Sequence, residues 1–154
     1  MATPSLTRLT MVLLPMLSLA CGEPLSPRDI AGTYALQRVA GESLPALLYT
    51  NEYVTVRVFA DTLRFTPDRR GTLITVRESE PLSGAPSSGL LRGESRFGFR
   101  VVEDRIEVAF DCPLGANCAA PPHLVLLRSA DGLLADFALG ARTPLSYTRV
   151  APAP

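Results

Sequence analysis

Chemistry in this chain would have to come from a few residues: three cysteines, one histidine and an ordinary supply of serines and carboxylates. Cys112 and Cys118 enclose Pro113-Leu114-Gly115-Ala116-Asn117, and two thiols at that spacing suit one disulfide, whose short loop would gain about 2 kcal/mol from chain entropy. The glycine and asparagine permit the tight reversal. Structural zinc takes four nitrogen or sulfur ligands, and Cys-x5-Cys with the lone His123 supplies too few, so no metal site is expected. His123 follows Pro121-Pro122 at the start of an apolar run and reads as a polar surface residue. The carboxylate pairs Glu78 with Glu80 and Glu103 with Asp104 fall where strands end and turn, and solvated charge is ordinary there. The serines sit in no Gly-x-Ser-x-Gly elbow. The chain therefore reads as a non-enzyme with no catalytic residue and no cofactor.

All fifteen basic residues are arginine, and fifteen acids balance them to a formal charge of zero. The longest basic run is Arg69-Arg70, too little clustered charge for nucleic acid, whose affinity rests on neutralising phosphates. The methionines stand at positions 1, 11 and 16, and tryptophan is absent. A chain of 154 residues buries roughly two thirds of its unfolded surface, enough for one core.

Apolar residues alternate with period two over most of the chain. Strands are expected over 32–39, 53–59, 62–66, 72–78, 92–102, 105–111, 123–129, 133–139 and 145–150. Turn residues separate them at 40–43, 60–61, 67–71, 103–104 and 131–132, and only Leu44 to Thr50 could hold a helical turn. One hairpin carries its own check. A turn at Glu103-Asp104 sets Val101 opposite Ile106, Phe99 opposite Val108 and Phe97 opposite Phe110, with Arg100 facing Glu107 and Arg96 facing Asp111 on the other side. A second turn at Asp131-Gly132 brings Leu126 opposite Phe137 and Leu124 opposite Leu139, but puts Leu127 against Asp136. Eight or nine such strands hide their edges by closing into an antiparallel up-and-down barrel, the alternative being a β-sandwich. Val54, Val56, Val58, Leu63, Phe65, Ile74, Val76, Phe97 and Phe99 are its expected inward face.

The N-terminal stretch has its own pattern. Met1 and Arg8 supply positive charge, an uncharged run extends from Leu9 to Leu19, and Ser18-Leu19-Ala20-Cys21 closes it. The run is too short to span a bilayer. It resembles the lipobox signal of bacterial lipoprotein precursors, with Ser18 where an aliphatic residue is commoner. That resemblance implies a signal peptide over 1–20, a lipid on the Cys21 thiol with palmitate-type acyl chains, and a cell-envelope location anchored to the membrane. Gly22 in place of aspartate leans toward the outer membrane where two membranes exist. An ordinary secretory signal cleaved near Ala20 is the competing reading. Residues 21–29, with Pro24 and Pro27, are expected to be a tether, 30–150 the barrel domain, and 151–154 a disordered tail.

Gly32-Thr33-Tyr34 opens the first strand, and Arg149 lies in the last. In these residues and in its strand pattern the domain resembles the lipocalin-like, or calycin-like, barrels, which open with Gly-x-Trp and pack a basic residue over that ring. Tyr34 stands in for the tryptophan here, and no Thr-Asp-Tyr motif follows. The resemblance implies a module that binds a small apolar ligand. The other function class is an envelope interaction or inhibitor protein with a solid core, meeting another protein through the Cys112–Cys118 loop.

Overall fold

The computed structural model describes residues 25–112, 123–139 and 141–150, and backbone alone for 136–139 and 141–142. The expected signal segment, Cys21, Cys118 and the C-terminal tail lie outside the described residues. A short helix, α1 (Pro27–Ile30), precedes ten strands: β1 (Gly32–Val39), β2 (Glu42–Ser43), β3 (Ala46–Thr50), β4 (Val54–Phe65), β5 (Arg70–Pro81), β6 (Leu90–Val102), β7 (Arg105–Phe110), β8 (His123–Ser129), β9 (Gly132–Leu139) and β10 (Ala141–Val150). The tether expected through residue 29 thus gives way to α1 at Pro27. Proline suits that first helical position, and Ser26 and Asp29 cap it reciprocally.

Strands β4 to β10 pair in chain order, β10 pairs with β1, and β1 pairs back onto β4 from Gly32↔Phe65 to Ala35↔Thr62. That last pairing closes an eight-stranded antiparallel barrel, with β2 and β3 as two extra strands, and decides barrel over sandwich. Closure removes the edges that a meander of this length would expose. The β1–β4 seam is joined only at the α1 end. Above it β1 turns through Ala40 and Gly41 into β2, and β3 pairs with β4 instead. Leu44 to Thr50 is therefore no helical turn: Ala46 and Leu48 are buried and Leu47 is exposed, a strand alternation. Leu48 also accepts a hydrogen bond at its carbonyl from Thr143 of β10, at 3.4 Å.

The hairpin β6–β7 has the expected register at every pair from Val101↔Ile106 to Phe97↔Phe110. Arg100 binds Glu107, whereas the carboxylate of Asp111 pairs with Arg70 and leaves only its backbone N–H on Arg96. The next hairpin turns one residue earlier than expected, at Ala130-Asp131, so Leu126 faces Ala135 and Leu127 faces Leu134. Gly132 is a strand residue because a Cβ there would overlap the carbonyl of Tyr147 on β10. Its small size serves the β9–β10 approach, not the turn.

Ala60-Asp61 is likewise no turn. β4 runs unbroken through twelve residues with a bulge at Phe59, between Val58↔Arg77 and Ala60↔Val76. One extra residue flips the inward parity from Val56 and Val58 to Asp61, Leu63 and Phe65. On β5 the inward positions become Gly71, Leu73, Thr75 and Arg77, and Leu73 packs against the core in place of Ile74 and Val76. Gly71 leaves room for the Phe97 ring, which a Cβ would strike.

At the α1 end the interior is filled by rings. Phe65 meets Tyr34, Phe97 and Phe99 edge-on, at centroid separations of 5.7, 5.3 and 5.0 Å. Phe97, Leu63, Ile106 and Leu126 are each under 2% exposed, so this half is solid core.

Candidate functional site

Two places bring polar side chains against this core, one at the α1 end and one halfway up the wall. The first contains the motif residues. Tyr34 and Arg149 are direct partners across β1 and β10, one pair in from the end of the ladder at Thr33↔Val150, and the guanidinium reaches over the buried ring, 5.8 Å from its centroid. Gly32 makes the space: a Cβ there would stand 3.1 Å from Nε and Nη2 of Arg149, on a backbone with φ of +150°. The Tyr34 hydroxyl donates to the Ile30 carbonyl at 3.0 Å, and Arg149 Nη2 donates to the Ala31 carbonyl at 2.5 Å. Both bonds hold α1 across the barrel end, with Ile30 buried beneath it. Burial raises the tyrosine pKa, while the hydrogen bonds from Ser26 hold Asp29 below the usual carboxylate range. A cleft of about 150 Å³ remains between α1 and the β8–β9 turn, bounded by Asp29, Arg128, Asp131 and Arg149. The arrangement is a latch, and its described polar groups are largely occupied in closing the fold.

The second place was hidden by the bulge. Asp61 is 4% exposed and faces inward from β4. Its Oδ2 accepts from Arg77 Nη2 at 3.3 Å, while its Oδ1, like the Oγ1 of Thr75 directly opposite on β5, has no hydrogen-bond partner among the described residues. Burial lifts the Asp61 pKa from 3.8 to about 6, against the pull of Arg77. Tyr147, inward from β10 and 2% exposed, feels both charges, and its own pKa is raised chiefly by burial. An acid, a guanidinium, a hydroxyl and a phenol thus share an interior that is otherwise apolar. Chemically the set offers an acceptor and a donor or acceptor at adjacent wall positions, where desolvation strengthens any bond they make.

The remaining sequence candidates are not gathered into either place. His123 is exposed at the start of β8, and Glu78 accepts a hydrogen bond from Ser87 Oγ at 2.6 Å across the β5–β6 connection. Glu103 and Asp104 form the β6–β7 turn. Cys112 follows β7, and its expected partner lies outside the described residues. No group of His, Cys, Asp or Glu with metal-binding geometry occurs among the described residues. Asp61, Thr75 and Arg77 escaped the sequence reading, although the parity conflict between Val54-x-Val56-x-Val58 and Leu63-x-Phe65 carries the signal that Asp61 sits inside. Compared with known proteins, the chain matches no family model, no curated protein and no solved structure.

Proposed function

We propose that this chain is a lipid-anchored envelope lipoprotein whose barrel is a lipocalin-like binding module for a small, largely apolar ligand bearing one hydroxyl or amine. The observation that carries the reading is the pair of inward polar atoms that find no partner among the described residues, Asp61 Oδ1 and Thr75 Oγ1, in a wall where hydrophobes would be more stable. A hydroxyl or amine donor satisfies the carboxylate, and an apolar body suits the surrounding Val, Leu and Phe side chains. The Gly32, Tyr34 and Arg149 arrangement, with α1 across one end, supports kinship in architecture. The lipobox resemblance supports anchoring through Cys21, and the Cys112–Cys118 spacing supports one disulfide in that oxidising compartment.

The test is thermal unfolding of the full chain with long-chain alcohols, monoacylglycerols and alkylamines, since a ligand that binds only the folded form raises its melting temperature with concentration. Stabilisation of the wild type that is lost in Asp61→Asn is expected. No stabilisation by any of them overturns the binding reading and favours the envelope interaction protein, for which the ring-filled α1 half already speaks. Anchoring is read separately: labelled palmitate should enter the wild type and not Cys21→Ser. Non-reducing peptide mapping should recover Cys112 and Cys118 in one fragment.

A further inference from the structure

The barrel wall is uneven. β5 and β6 pair from Arg70↔Gly98 to Glu78↔Leu90, but β7 joins β6 only from Phe97 onward, with one further bond from Asp111 N–H to the Arg96 carbonyl at 2.8 Å. Leu90 through Arg96 are all exposed, and on the side away from β5 no described strand pairs with Leu90 to Ser95.

Which backbone groups point outward follows from the bonds present. Arg96 gives its carbonyl to Asp111, on the β7 side, whereas Phe99 N–H donates to the Arg69 carbonyl on the β5 side. The backbone groups of even-numbered β6 residues therefore face away from β5, so those of Leu90, Arg92 and Glu94 meet no partner strand among the described residues. Such an edge is a template for another strand.

The geometry points to a second copy of this chain as that strand. β6 laid antiparallel on itself about Gly93 sets Arg92 opposite Glu94 of the second copy and Glu94 opposite its Arg92. Both are hydrogen-bonded pairs, each exchanging two backbone bonds. The charges complement one another twice through the twofold axis, as an isologous contact requires. Neither Arg92 nor Glu94 is in an ion pair within the subunit among the described residues. Gly93 then meets Gly93 at the closest-approaching, non-hydrogen-bonded position, where a small residue fits best. Leu90 and Leu91, 61% and 57% exposed, lie at the rims of this contact. No other register centred on this edge pairs both charges with opposites.

Sedimentation velocity of the full chain in nonionic detergent, at micromolar concentration, should show a dimer. Arg92→Glu and Glu94→Arg each bring like charges face to face twice and should weaken it about tenfold, and the double swap R92E/E94R should restore it. A merely structural effect of either change would not be rescued by the other. Gly93→Cys gives an independent reading: mild oxidation should join two chains through the introduced thiols, identified by peptide mapping. A monomeric wild type, a dimer indifferent to either single reversal, or single losses that the double swap does not restore would each overturn the proposal. Gly93 stands opposite Thr75, but Arg92 and Glu94 pair with Val76 and Ile74 on the outer face of β5, so the charge reversals and the ligand experiments fail independently.

Discussion

The latch beneath the barrel and the acid inside its wall place polar groups against the same core with opposite results. At the latch, Tyr34, Arg149 and Asp29 each find a partner in the segment 26–31, so burial and bonding work together to hold α1. Halfway up, Asp61 keeps one oxygen bonded to Arg77, while its other oxygen and the Thr75 hydroxyl find no partner among the described residues. Stability alone accounts for the first region. It does not account for the second, because well-packed hydrophobes commonly match or exceed a buried ion pair in stability. The contrast separates polar residues that close a fold from polar residues retained at a cost for something else to meet.

The sharpest way to break this contrast is to remove the ring of the latch. Tyr34→Ala deletes the edge contact with Phe65 and the seat of Arg149, and should cost about 3–5 kcal/mol in urea unfolding. Tyr34→Phe keeps the ring, strands the Ile30 carbonyl, and should cost about 1 kcal/mol. Ligand-induced stabilisation should survive Tyr34→Phe. An Ala variant as stable as the wild type would show that α1 does not close the barrel.

Asp61 gives the next largest effect, and its sign is opposite to that of an ordinary acid. With a folded pKa of about 6 against 3.8, the carboxyl holds its proton more tightly in the fold than in the unfolded chain. Its contribution is therefore fully present below about pH 3.8 and is lost as pH rises through 6, a change on the order of 3 kcal/mol. Asp29 and Asp68 run the other way, held low by the hydroxyls of Ser26 and Thr66, so the wild type alone mixes signs. The difference between wild type and Asp61→Asn isolates the term of interest. Because the Arg77 side chain is 29% exposed, its charge can hydrate once the acid is gone, and Asp61→Asn should be the more stable protein at pH 7. Melting curves from pH 4 to 7 that stay parallel for the two proteins would place Asp61 in water, and the site with it.

Much of the latch was legible before any coordinates. Period-two alternation announced the sheet, complementary pairs fixed the β6–β7 register, and of the motif residues the β1–β10 pairing sets Tyr34 opposite Arg149. The wall site was not legible. The turn chemistry of Ala60-Asp61 and of Asp131-Gly132 is local, and in both places a distant strand overrode it. At β4 the pairing with β5 continues through a bulge, so one apparent turn became a change of face and carried Asp61 inward. At β9 the approach of Tyr147 needed the glycine for itself. β3 was misread because five residues after a proline hold too little periodicity to tell strand from helical turn without the β4 edge beside them.

The smallest expected effect sharpens what holds the latch. Arg149 is exposed, so its attraction to the Tyr34 ring and its bond to the Ala31 carbonyl are screened by water, and Arg149→Ala should cost about 1 kcal/mol. The informative measurement is its coupling to Gly32. Gly32→Ala carries two penalties: the φ of +150°, which an L side chain tolerates poorly, and the 3.1 Å approach of the new methyl to the guanidinium. Only the second depends on Arg149. In the Arg149→Ala background the same glycine change should therefore cost less than in the wild type, though still something, and the double-mutant cycle should return a nonzero coupling. Equal costs in both backgrounds would mean that Gly32 is kept for its backbone alone and that the guanidinium is not seated where the ring and the glycine together would hold it.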